Sequence, residues 1–205
     1  MKILITAGPT REKIDPVRFI SNYSSGKMGY SIAQAALEYG HNVTLISGPV
    51  SILPPEGVSL IKVTSASEMA DAVHSCASDA EVIIMTAAVA DYRPAHPFDS
   101  KMKKLPGKLV LELERTEDIL GTLGANKHSG QILVGFAAET DDLEKNALGK
   151  LERKNLDWIA ANLVSDGFGT DTNTITLYNK AGNVISIPSG AKIDVARSML
   201  KVILP

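Results

Sequence analysis

The sequence predicts an α/β protein: a doubly wound, mostly parallel sheet with helices on both faces and an antiparallel hairpin near the C-terminus. Three observations carry this. Short runs rich in β-branched residues recur with almost no polar alternation, as strands covered on both faces require. Between them lie stretches of helical period, such as Met28, Ile32, Ala35, Ala36 and Tyr39 within residues 26–39. The two kinds of segment alternate regularly, which is how crossover connections build a parallel sheet.

In chain order, the runs KILIT (2–6), NVTLIS (42–47), SLIKV (59–63) and EVIIMTAA (81–88) are expected as strands, with helices over 26–39 and 66–77. The second half continues with a strand at KLVLEL (108–113), a helix near 117–126 and a strand at QILVGFAAET (131–140). A helix over 141–154 and a strand at LDWIAAN (156–162) follow. The segment NTITLYNKAGNVISIP then alternates in two runs around Asn179-Lys180-Ala181-Gly182, which predicts a hairpin over about 173–187. A helix over 189–203 closes the chain. The 205 residues suit a single domain, with a flap over about 92–108. Two stretches, 7–25 and 89–107, lack regular patterning, and long irregular insertions in a compact domain are usually functional.

Composition narrows the function. A net charge of −2 offers no basic field for nucleic acid. No apolar run approaches the ~20 residues that span a bilayer, and the start, MKILITAG, lacks the cleavage-type end of a signal. A cytoplasmic location without a membrane partner is expected. The single cysteine, Cys76, shares a helical face with Met69, Ala72 and Val73 and is expected as a small packing residue. Histidines 41, 74, 96 and 128 are scattered without metal-ligand spacing, and no nucleophilic triad or carboxylate pair is visible.

Four places are left to carry chemistry. Ser24-Ser25-Gly26 opens the first helix, whose unpaired amides and positive dipole end suit a phosphate, with Gly26 and Gly29 permitting close approach. The segment is not a Walker loop, because Lys27 is followed by Met28. A nicotinamide oxidoreductase on a Rossmann-like sheet is the alternative. It wants G-x-G-x-x-G after strand one and an acid after strand two, and this chain has LISGPV there. TAAVADYRP (86–94) places small residues at a strand's carboxyl end, with Asp91 within reach of hydroxyls or a metal. DSKMKKLPGK (99–108) concentrates Lys101, Lys103, Lys104 and Lys108 on a loop broken by proline and glycine, as either a solvated loop or a flap over a triphosphate. Lys150 and Lys154 repel one another at helical spacing, which an anionic partner would relieve.

TAGPTREKIDPVRFISNYSSGKMG, AAVADYRP, KMKK, VGFAAET and the Lys150/Lys154 helix, in this order, resemble bacterial phosphopantothenoylcysteine synthetase. The resemblance implies a ligase that joins 4′-phosphopantothenate to L-cysteine through an acyl-cytidylate, splitting CTP to CMP and pyrophosphate with Mg2+. It implies catalytic roles for Asn22, Arg18 and Lys101, and substrate phosphate and acyl contacts at Arg18, Asn22, Ser24, Ser25 and Gly26. It implies nucleotide contacts at Met85, Thr86, Ala87, Asp91, Lys101, Glu117, Asp118, Ile119, Leu120, Phe136, Lys150 and Lys154. The metal ligands stay unknown. A homodimer is implied, with each flap closing over the partner's site. A flavin-dependent decarboxylase, fused or separate, is a further implied partner, so the chain is either free-standing or one unit of a longer protein. One departure stands out: the family usually reads Asn-Pro-Asp-Ile where this chain has Thr116-Glu117-Asp118-Ile119, which adds a charge near a polyanion's site.

Overall fold

Every long apolar run but one becomes a strand of a single sheet. The computed structural model describes residues 1–104, 106–164 and 169–205; Leu105, within the expected flap, lies outside the described residues. The strands β1 (Lys2–Ala7), β4 (Asn42–Ser47), β5 (Ser59–Lys62), β6 (Val82–Met85), β9 (Ile132–Glu139), β10 (Trp158–Leu163), β11 (Thr172–Asn179) and β12 (Val184–Ala191) form this sheet. Their order is β12-β11-β10-β9-β6-β1-β4-β5. The six strands from β10 to β5 pair in parallel, and β11 and β12 add antiparallel. Helices α1 (Lys27–Glu38), α2 (Ala66–Ala77), α3 (Ile119–Ala125), α4 (Leu143–Arg153) and α5 (Lys192–Ile203) cover it.

The continuous apolar runs are explained by two cores, one on each face. Ile3, Ile5 and Ala7 of β1 pack with α1 and α5, while Leu4 packs with α2, α3 and α4. In β6, Val82 and Ile84 join the first core and Ile83 the second. Each strand thus alternates faces, as its pleat dictates, and both faces need apolar residues.

From β1 the chain winds outward through β4 and β5, then returns to β6 on β1's other side and winds through β9 and β10. β1 and β6 stay paired to their carboxyl ends, and it is their onward connections that run in opposite directions, the switch point at which open sheets of this kind hold ligands.

Two expectations are corrected. Residues 108–113 do not enter the sheet. Only β8 (Leu113–Arg115) is a strand, paired antiparallel with β7 (Tyr92–Pro94) in a two-stranded ribbon, and Leu109 and Val110 are exposed. The apolar run belongs to the loop that joins this ribbon, so no sheet neighbour covers it. Residues 7–25 are not irregular throughout, because β2 (Arg11–Lys13) and β3 (Phe19–Ser21) form a second ribbon. Boundaries shift too: β6 stops at Met85, and β12 runs to Ala191, so the last helix begins at Lys192.

Candidate active site

Two adjoining cavities open at the carboxyl end of β6 and beside Phe136 of β9, of about 330 Å3 and 560 Å3. They share Ala87, Val89, Asp91, Phe136 and Lys150 as a common wall. That places the small residues after β6 between the two cavities.

The smaller cavity is built around the start of α1. Gly26 is the residue before the helix, at φ 77°, and no side chain caps the first turn. Ser24 Oγ accepts from Gly26 N at 3.3 Å, which leaves the helix amides to the cavity. The helix can approach this closely because position 29 has no side chain. A Cβ on Gly29 would lie 2.6 Å from Ala7 Cβ and 2.5 Å from Thr86 Oγ1. Asn22 lies just past the end of β3, its Nδ2 donating to Ala88 O at 2.9 Å. That bond orients the amide and leaves its second N–H for a ligand. Ser24, Ser25, Gly26, Thr86 and Ala87 all line the cavity.

Two lysines of this cavity escaped sequence reasoning. Lys27 reaches Asp171 at 2.5 Å. Lys192 is only 6% exposed and donates to Thr170 O. Burial, followed by the neighbouring Lys27, pushes the Lys192 ammonium below its ordinary pKa. Lys27 stood in plain view within SSGKMG, whereas nothing local distinguishes Lys192.

The larger cavity gathers charge. Arg115, Lys150, Arg153 and Lys154 line it with Asp91, Glu117 and Asp118. Lys150 Nζ donates to Phe136 O at 2.7 Å, and burial pushes its ammonium below 10.5. Asp118 caps α3 by accepting from Gly121 N at 3.0 Å and is ion-paired with Lys154. The added charge of Glu117 is met by His74 of α2, Nε2 to Oε1 at 2.7 Å; this contact holds the carboxyl below its ordinary value. Ile119, Leu120 and Met85 complete the apolar wall. Arg115 and Arg153 are additions to the expected set. They flank residues the sequence did single out, and only the folded arrangement aims them at one space.

Arg18 and Lys101 line neither cavity. Arg18 is ion-paired with Asp15 and donates to Met102 O at 3.1 Å, and Lys101 is exposed on the flap. Among the described residues no group of three or more His, Cys, Asp or Glu could hold a metal ion, and no helix is long and apolar enough to cross a membrane.

The family model for the DNA/pantothenate metabolism flavoprotein C-terminal domain matches residues 1–205. The chain belongs to this family. Among curated relatives, the coenzyme A biosynthesis bifunctional protein CoaBC of Bacillus subtilis (strain 168) is 52% identical over 205 residues, covering 98% of this chain and 50% of that protein. Its counterpart from Vibrio vulnificus (strain YJ016) is 49% identical, covering 98% and 51%. The chain thus spans about half the length of the curated relatives it matches. The crystal structure of the C-terminal domain of a CoaBC protein superposes with a TM-score of 0.86 at 49% identity, covering 98% of this chain and 93% of that one.

Proposed function

We propose that the chain is a single synthetase domain that ligates 4′-phosphopantothenate to L-cysteine at the expense of CTP, in coenzyme A biosynthesis. The observation that carries this reading is the pair of cavities. An uncapped helix end with Asn22 lies beside a space lined by four cations, and a shared wall lies between them. A phosphorylated carboxylic acid and a nucleotide need adjacent anion sites of this kind.

The chemistry follows in two balanced steps. The substrate carboxylate attacks the α-phosphorus of CTP, pyrophosphate leaves, and a mixed anhydride with CMP remains. The cysteine amine then attacks the acyl carbon, CMP departs, and the amine gives up its proton. Lys150, Lys154, Arg115 and Arg153 bind and orient the triphosphate, supplying positive charge where it accumulates. Asn22 donates to the acyl oxygen during amine attack. Lys101 and Arg18 act from the flap side.

Magnesium suits the donors present, because it binds through one or two carboxylates plus substrate phosphates rather than a protein cage. Asp91 is the residue that would hold it. It lines both cavities, and its carboxylate makes no hydrogen bond among the described residues. When bound, the ion neutralises triphosphate charge.

The test is pyrophosphate release, measured with CTP, ATP, UTP and GTP in turn. Release is expected only with phosphopantothenate present and best with CTP, and CMP is expected only once cysteine is added. Equal release without phosphopantothenate would sink the reading. The oxidoreductase alternative has no feature in its favour, because β4 ends at Ser47 and is followed by Gly48-Pro49-Val50 without an acid.

The same reading includes a homodimer in the cytoplasm, with a decarboxylase unit fused or separate. Val17, Phe19, Tyr92, Phe98, Val110 and Leu113 are exposed on the two ribbons and their connections, and exposed apolar residues concentrated on such segments support an interface there. Arg18 and Lys101 belong to this region, which accounts for their distance from one protomer's own cavities. Light scattering is expected to give twice the 21.8 kDa chain mass, and Phe19→Glu is expected to return the monomer. A native monomer would count against it.

A further inference from the structure

The turn between β2 and β3 holds a buried carboxylate for which the ligase chemistry gives no role. Asp15 is 2% exposed. Its Oδ1 accepts from Val17 N and Arg18 N, both at 2.8 Å. Its Oδ2 accepts from Arg18 Nε at 3.0 Å, from Arg18 Nη2, and from Met102 N at 3.2 Å. Arg18 Nη2 also donates to Met102 O at 3.1 Å. Met102 is therefore gripped at both its N–H and its C=O. A second tie lies nearby, from Phe98 N to Ile14 O at 2.8 Å. Among the described residues of 99–104, Met102 alone is hydrogen-bonded, and it is the neighbour of Lys101.

We propose that Asp15 is a positioning residue for the activation step, holding the flap through Arg18 and the Met102 backbone so that Lys101 stands at a fixed place. The role rests on the ligase reading above. A carboxylate suits it because its two oxygens can accept several donors at once, and the guanidinium beside it offsets the cost of its burial. Asparagine cannot replace it, since either orientation of its amide would turn N–H groups toward donors, the Arg18 guanidinium and Met102 N on one side or the Val17 and Arg18 N–H groups on the other. The clamp uses only Nε and Nη2 of Arg18, so Nη1 keeps two N–H groups for a substrate anion. One arginine can thus hold the flap and still offer N–H groups to a substrate anion.

The test combines Asp15→Asn with Lys101→Gln in the full chain. Trypsin is expected to cut the flap lysines about tenfold faster in Asp15→Asn, because cleavage follows the population of the released segment. The rate of pyrophosphate release should fall about tenfold in Asp15→Asn alone and less than twofold when Asp15→Asn is added to Lys101→Gln. An equal fractional loss in both backgrounds overturns the proposal, as does unchanged flap cleavage. Hydrogen exchange of the unmodified chain serves if Asp15→Asn does not fold. The Met102 amide should exchange about tenfold more slowly than those of Lys103 and Lys104, and equal exchange again overturns the clamp. Failure of the ligase reading is separately visible, as a native chain that releases no phosphopantothenate-dependent pyrophosphate while flap cleavage still responds to Asp15→Asn.

Discussion

Asn22→Asp is expected to leave pyrophosphate release within about threefold of the native rate while slowing amide formation by ~10²–10³, the loss typical of a missing oxyanion donor. The geometry separates the two steps. Asn22 Nδ2 spends one hydrogen on Ala88 O at 2.9 Å, which orients the amide at the edge of the smaller cavity and leaves its other hydrogen for a ligand. Activation builds charge on the α-phosphate, near the cationic wall, and does not draw on this donor. Amine attack builds charge on the acyl oxygen, where the donor is needed. An aspartate has no hydrogen to give, and its carboxylate repels both Ala88 O and the developing oxyanion. Rapid quench should therefore show acyl-cytidylate accumulating in the variant. Loss of pyrophosphate release together with amide formation would assign Asn22 to binding instead.

The sheet could be read from sequence wherever a strand is buried on both faces. Ile3, Leu4 and Ile5, or Val82, Ile83 and Ile84, have no polar alternative, so burial and composition agree. The run Leu109-Val110-Leu111 has the same composition without the same surroundings. Apolar character shows that a segment wants cover, not that the cover is a neighbouring strand. Ribbons of three residues a side, such as β2 with β3, are too short to display a period.

The site divides along similar lines. Ser24 to Gly29 was legible because helix-start chemistry and glycines are local. Lys192 was not, because its approach to α1 depends on the antiparallel addition of β11 and β12, which swings α5 onto the same face. The pairing of Glu117 with His74 spans 43 residues. The sequence disclosed an added charge at Glu117; the fold places it on the larger cavity and pairs it with His74.

Lys150→Met is expected to lower kcat/KM for CTP by about 10²-fold, in line with removal of a charged hydrogen bond to phosphate. Lys150 is the one cation of the larger cavity that also lines the smaller, so it stands at the junction to which the proposed reaction assigns the α-phosphate. It spends one hydrogen on Phe136 O at 2.7 Å and keeps two for the ligand. Burial disfavours its charged form, and Glu139 and Asp91 only partly restore it, so its pKa in the free chain lies below 10.5. Bound phosphate favours the ammonium and raises that pKa. Between the two values, nucleotide binding takes up a proton, and affinity falls as pH rises through the lower one. Folding stability has the opposite slope. The unfolded chain binds the proton more tightly, so Lys150's burial costs less as pH climbs from the lowered pKa toward 10.5. Calorimetry of CTP binding in buffers of different ionisation heat separates these trends. Proton uptake should appear between the two pKa values in the native chain and vanish in Lys150→Met, whose affinity should be lower and flatter with pH. Equal uptake in both proteins would move the titrating group to another of the cavity's cations.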